Sequence, residues 1–173
     1  MSRLLILAVF ISLVAVGCGK DDTPTAASPV NRFVFAATLS AANEVPPITN
    51  AEASATGQAT VTMNTVRDAT GQITSATVDV SATFAGFPAG SSATLAHIHT
   101  GAAGVAGGVL VAMVPSAGEV TFPNGTGSYV RSGFPVTPVD TANSIINNPA
   151  GFYFNVHTPL NPGGAVRGQL RLQ

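Results

Sequence analysis

The three histidines of this chain fall in two short segments, Ala96-His97-Ile98-His99-Thr100-Gly101 and Asn155-Val156-His157-Thr158. Imidazole is the side chain best suited to bind a transition metal or to carry a proton near neutral pH. Alternation marks both segments as β-strands: His97 and His99 share one face, Ala96 and Ile98 the other. In the second strand Tyr153, Asn155 and His157 lie opposite Phe152, Phe154 and Val156. Two histidines at i and i+2 point the same way and can chelate one ion. A third from a neighbouring strand completes a three-nitrogen site suited to copper or zinc, with a fourth position for water, Glu44 or a substrate. Three neutral imidazoles bring no charge, so Glu44 is the group that would balance a dication.

After His157 the chain turns through Asn161-Pro162-Gly163-Gly164 to Arg167-Gly168-Gln169. A hairpin centred near Pro162 sets His157 opposite Arg167 and Asn155 opposite Gln169. Alternation then puts Arg167, Gln169 and Arg171 on the polar face, and Val166, Gly168, Leu170 and Leu172 on the core side. Three readings of His97, His99, His157, Glu44, Arg167 and Asn155 stay open. They are a metal site, a hydrogen-bonded network tying loops to the sheet with Glu44 paired to a histidine or Arg167, and a small anion held by Arg167 and the histidines.

The elements that must position these residues are strands. Phe33, Phe35, Ala37 and Leu39 alternate from the opening of the folded part at Arg32, and the strand breaks at Asn43-Glu44-Val45-Pro46-Pro47. Ala59, Val61 and Met63, then Ala76 to Phe84, form a hairpin around Asp68-Ala69-Thr70-Gly71. The 101–108 segment, all Gly and Ala but for Val105, is a surface loop that matches no phosphate-binding glycine pattern. Val109 to Val114 is apolar throughout and predicts a central strand, and Val120 to Val130 predicts a hairpin around Pro123–Gly127. One short helix is predicted over Asp140 to Asn147, capped by Asp140 or Thr141 and ended by Pro149-Ala150-Gly151.

At 173 residues, the chain supplies one domain with a single core, and its low charge with twelve prolines favours strands and turns. A net charge of −1 without a basic cluster argues against a nucleic-acid partner. No Gly-x-Ser-x-Gly turn or supported triad points to covalent hydrolysis. Arg3, the apolar run Leu4–Val16 and Ala15-Val16-Gly17-Cys18 resemble a bacterial lipoprotein signal, which implies lipidation of Cys18 after cleavage. Residues 1–17 are then the signal peptide, 18–31 a flexible tether and 32–173 the folded domain. Cys18 is the only cysteine, so the domain has no internal disulfide. The localisation expected is exported and membrane-anchored, on the outer membrane or cell surface if the organism has two membranes.

Taken in order, Asn43-Glu44-Val45-Pro46-Pro47, Ala96-His97-Ile98-His99-Thr100-Gly101, Tyr153–Thr158 and Asn161–Gly168 resemble the chordin domain (CHRD) family, from about Phe33 to Leu172. The resemblance implies an extracellular, β-sandwich-like module, found in animal chordin and in bacterial secreted proteins. Ala165 departs from the family pattern, where an acidic or polar residue is frequent. More distantly, the His-x-His strand, the later histidine and Arg167 look like the copper half of copper-zinc superoxide dismutase, although no fourth histidine or cysteine pair accompanies them. The expectation is an all-β, antiparallel Greek-key β-sandwich, immunoglobulin-like or superoxide-dismutase-like, with one short helix. It would act as a binding or structural module at the cell envelope, with a membrane contact through the lipid on Cys18 and an extracellular protein or glycan as partner. The alternative is a copper- or zinc-binding protein with dismutase-like redox activity through His97, His99 and His157.

Overall fold

The alternating runs build antiparallel β structure, described for residues 30–173 by a computed structural model. The expected signal peptide (1–17), Cys18 and the expected tether as far as residue 29 lie outside the described residues. Strands β1 (Val30–Ser40), β2 (Thr56–Arg67) and β3 (Ile73–Ala85) form a meander, the first starting two residues ahead of Arg32. Their alternate residues Phe35, Leu39, Val61, Met63, Val78 and Val80 are buried together, as period-two patterning requires of sheets with one packed face.

The remaining elements are β4 (Ser91–Ser92), β5 (Leu95–Thr100), β6 (Val109–Ala112), β7 (Thr121–Phe122), β8 (Gly127–Pro135), α1 (Asp140–Asn147), β9 (Phe152–His157), β10 (Val166–Gln169) and β11 (Arg171–Leu172). Nine strands form one sheet in the order β6-β5-β9-β10-β1-β2-β3-β8, with β11 also on β1, while β4 and β7 pair separately. Every pair is antiparallel. The sheet curls until its ends nearly meet: the Tyr129 hydroxyl of β8 donates to the Met113 carbonyl, one residue past β6, at 2.7 Å. The core fills the space inside this barrel-like curl, and Ala142 and Ile145 of α1 are buried in it.

Four local expectations are corrected. The Val109–Val114 run supplies β6 at a sheet end, not a central strand; Val109 and Val114 are exposed whereas Val111 and Met113 are buried, so an alternating edge hides in an apolar run. β7 pairs with β4 and β8 with β3, so the turn at 123–126 joins two different sheets. The helix has the expected span but no side-chain cap: Val139 is its N-cap, already in helical conformation. The first N–H groups, of Thr141 and Ala142, donate to the carbonyls of Pro138 and Val139, which leaves Asp140 and Thr141 no capping role. The last hairpin is displaced by two residues, with Arg167 opposite Asn155 and Gln169 opposite Tyr153. A shift of two keeps each side chain on its expected face, although Leu172, expected on the core side, is exposed.

Candidate metal centre

Adjacent strands β5, β9 and β10 assemble the cluster. Their registers align His97 with Asn155 and Arg167 in one row, and His99 with Tyr153 and Gln169 in the next. His157 lies opposite Leu95, diagonal to His97. Strands about 4.8 Å apart bring side chains of adjacent rows within reach of one another, and one ring nitrogen from each histidine falls within 4.8 Å of the other two.

This polar face is covered. His97, His99, His157, Asn155, Glu44 and Arg167 are all buried, Arg167 to 1% exposure. Three loops roof them over. Arg167 Nε donates to the Asn43 carbonyl at 2.6 Å and Nη1 to the Val105 carbonyl at 3.0 Å, tying down both the Asn-Glu-Val-Pro-Pro segment and the Gly-Ala loop. The Asn43 amide returns a bond to the Arg167 carbonyl at 3.1 Å. Gln169 donates to the carbonyl of Gly101 at 2.9 Å. The third loop, after His157, places the Pro162 carbonyl 2.9 Å from His157 Nδ1.

These carbonyls fix two histidine tautomers. A carbonyl oxygen only accepts, so His99 Nδ1, 2.9 Å from the Gly107 carbonyl, carries the proton, as does His157 Nδ1. Each ring therefore presents Nε2 as a bare lone pair. His157 Nε2 faces His97 Nδ1 at 2.9 Å, and His99 Nε2 has no hydrogen-bond partner. Backbone carbonyls holding the far nitrogen of an imidazole are the usual means of orienting a metal-binding histidine.

Burial keeps the rings neutral. It draws His97 down to about 4, with repulsion from His157 and His99 adding to the effect. His99 and His157 are lowered by burial too, against the opposing pull of their carbonyl partners. Burial pushes the Glu44 carboxyl up to about 7, although Arg167 and Asn155 act in the other direction. No ion pair joins Glu44 to Arg167 among the described residues, so the pairing expected for Glu44 is a field effect rather than a contact.

Among the described residues four buried side-chain atoms lack a hydrogen-bond partner: Glu44 Oε1, His99 Nε2, Asn155 Oδ1 and Arg167 Nη2. All belong to this cluster. A Cβ built on Gly164 would sit 2.7 Å from Asn155 Nδ2 and 2.8 Å from Glu44 Oε1, so a glycine is what allows the third loop to close over them. A cleft of about 590 Å³ runs past Glu44 and Arg167 between the first two loops, with Arg171 on its wall.

The donor set fits zinc or copper. Ligands 2.0–2.1 Å from a tetrahedral ion are about 3.3 Å apart and ligands at right angles about 2.9 Å, a range that brackets the His97–His157 separation. Three nitrogens within 4.8 Å of one another share a point within about 2.8 Å of each, so the rings would have to close in by about 0.7 Å to ligate one ion.

The expected site residues His97, His99, His157, Glu44, Asn155 and Arg167 are thus brought together, while Cys18 lies outside the described residues. Tyr153 was not singled out by its sequence context, although it shares the strand parity of Asn155 and His157. It stacks on His99 with ring centroids 5.0 Å apart, carries the Arg167 guanidinium 4.4 Å above its ring, and accepts the Gly107 N–H at its hydroxyl. Asn50 and Glu52, in a stretch with no alternation, gave no signal at all.

The sequence matches the family model described as the CHRD domain over residues 35–170. No curated protein and no solved structure matches the chain. The match runs from β1 through β10 and takes in every strand and loop that builds the cluster: the chain belongs to the CHRD domain family.

Proposed function

We propose that this CHRD domain is a binding module whose His97, His99 and His157 hold one zinc or copper ion, working at a cell envelope to which a lipid on Cys18 anchors it. The observation that carries the metal reading is the convergence of three neutral imidazoles, two of them locked by backbone carbonyls with Nε2 turned inward and one of those Nε2 atoms unpartnered. Neutral rings need shed no proton to bind, so protons compete weakly with the ion. The unpartnered atoms favour a cation over an anion as the primary occupant. Only Arg167 Nη2 among them is a fixed donor, whereas His99 Nε2 and Asn155 Oδ1 accept. Glu44 and Asn155 are placed to hold a water or small ligand beside the ion, and Arg167 to give it a positive neighbour.

The redox alternative uses the same three histidines with copper, which would supply one-electron chemistry when bound; the buried, unpartnered Arg167 Nη2 favours a small anion beside it. Export and anchoring rest on the leader-like segment before Cys18. A Greek-key sandwich of immunoglobulin- or dismutase-like type is our reading of a sheet order that sets β10 beside β1. The test is calorimetric titration of the metal-free protein, purified without a histidine tag, with zinc and with copper. One ion per chain, lost in His97→Ala and in His157→Ala, supports the reading. Parent protein that is folded and takes up neither metal refutes it, and leaves the hydrogen-bonded network as the role of these residues. Retention of superoxide-consuming activity by His97→Ala would eliminate the redox alternative.

A further inference from the structure

Glu52 belongs to none of the motifs discussed above, yet its side chain is only 1% exposed, and no cation lies within ion-pair distance of it among the described residues. Burying a carboxylate is costly unless its oxygens are well hydrogen-bonded. Here those bonds go to a single loop. Glu52 Oε2 accepts from the Thr158 hydroxyl at 2.7 Å and from the Asn161 side-chain amide. Asn50 completes the clamp by accepting the Glu52 N–H at 3.0 Å and donating to Asn161 Oδ1 at 2.8 Å. Thr158 Oγ1 in turn accepts the Asn161 N–H at 3.1 Å.

The clamped loop begins at the residue after His157 and carries the two groups that shape the site from this side. Pro162 offers the carbonyl that fixes the His157 tautomer. Gly164 closes against Glu44 and Asn155. Without the clamp the loop keeps its backbone bonds from the Thr158 and Gly164 N–H groups to the Asn161 carbonyl, but Pro162-Gly163-Gly164 loses its side-chain tie to the 50–52 segment, and two of these three residues impose little conformational restraint.

We propose that Glu52 is a positioning residue for the metal site: by holding Thr158 and Asn161 it keeps the Pro162 carbonyl on His157 Nδ1, and so keeps His157 Nε2 turned to the ion. The proposal rests on reading the three imidazoles as that site, and its test separates the two. The metal-free protein is labelled with ¹⁵N-histidine to read ring tautomers, and its zinc affinity is measured by titration. In the parent, His157 shows a single Nδ1–H tautomer. In Glu52→Ala it becomes a mixture, and zinc affinity falls ten- to a hundredfold, as for other partners that orient a metal-binding histidine. Glu52→Gln, whose carbonyl oxygen can accept both bonds, restores the parent tautomer and most of the affinity.

Asn64→Ala, which removes the bond from the Asn64 amide to Asp79 between β2 and β3, away from the strands that carry the histidines, controls for stability and keeps parent tautomer and affinity. The proposal is overturned if folded Glu52→Ala keeps both, or if Asn64→Ala weakens zinc binding as much as Glu52→Ala does. Should Glu52→Ala fail to fold, Thr158→Val, which removes one donor to the clamp, takes its place with the same expected readouts. A parent that takes no zinc defeats the metal reading alone, and the tautomer comparison then decides whether Glu52 positions His157.

Discussion

At the scale of single residues, the cluster combines groups whose charges burial disfavours. Glu44 has a folded pKa of about 7 against an ordinary value of 4.5. Below pH 4.5 its carboxyl is protonated folded or unfolded and costs nothing. As pH rises from 4.5 to 7 the unfolded chain ionises first, and stability is lost until the penalty is complete above 7. Glu44→Gln therefore raises the stability of the metal-free protein at pH 8 by about 1–3 kcal/mol, a gain that disappears by pH 4; urea denaturation at the two pH values measures it. Once zinc is bound the carboxylate neighbours a dication, and the gain shrinks or reverses. The histidines act with the opposite sign. Their folded pKa values lie below the ordinary 6.5, so their contribution is complete above 6.5 and is lost as pH falls towards the folded value, about 4 for His97. In the Glu44→Gln background, metal-free stability falls on acidification from pH 7 to 4 by up to about 3 kcal/mol from His97 alone. A flat profile there would mean the rings are not buried neutral.

At the scale of elements, the sequence was most legible where one periodicity governed a whole strand. Alternation placed His97, His99, Asn155, His157 and Arg167 on one face, and this survived a two-residue error in the last register because faces repeat every two residues. It could not show that the face is roofed. The roof consists of backbone carbonyls at Asn43, Val105, Gly107 and Pro162, which carry no side-chain signature. The Gly-Ala loop reads as featureless for the same reason, and the structure distinguishes its glycines. A Cβ on Gly107 would run into the Thr100 carbonyl oxygen, whereas one on Gly108 meets nothing within 4 Å. Gly107→Ala displaces the loop from His99 and Tyr153 and costs about 2–4 kcal/mol, while Gly108→Ala stays within about 0.5 kcal/mol of the parent. Thermal unfolding of the two variants, differing by one position, checks this directly. Equal effects would place the loop elsewhere.

At the scale of the whole molecule, the described residues form one nine-stranded sheet beside the small β4–β7 pair, and the first and last strands of the large sheet in spatial order come together through Tyr129 and Met113. Tyr129→Phe leaves the buried Met113 carbonyl without that donor, lowers stability by about 1–2 kcal/mol, and speeds amide exchange in β6 relative to β2. The all-β class, the short helix at 140–147 and the polar cluster could be read from composition and alternation. The closure could not, because it depends on which strands end the sheet, and the apolar run at 109–114 looks the same at an edge as at a centre. A barrel-like sheet of this kind gives the cluster a rigid base on three neighbouring strands, with loops supplying the oriented carbonyls. If this base converges three imidazoles on one ion, as proposed, anomalous diffraction from zinc- or copper-loaded crystals locates that ion among them. One strong peak per chain is expected, at about 2.0–2.2 Å from a ring nitrogen of His97, His99 and His157. A peak elsewhere, or none while His97 and His157 remain hydrogen-bonded to each other, would contradict it.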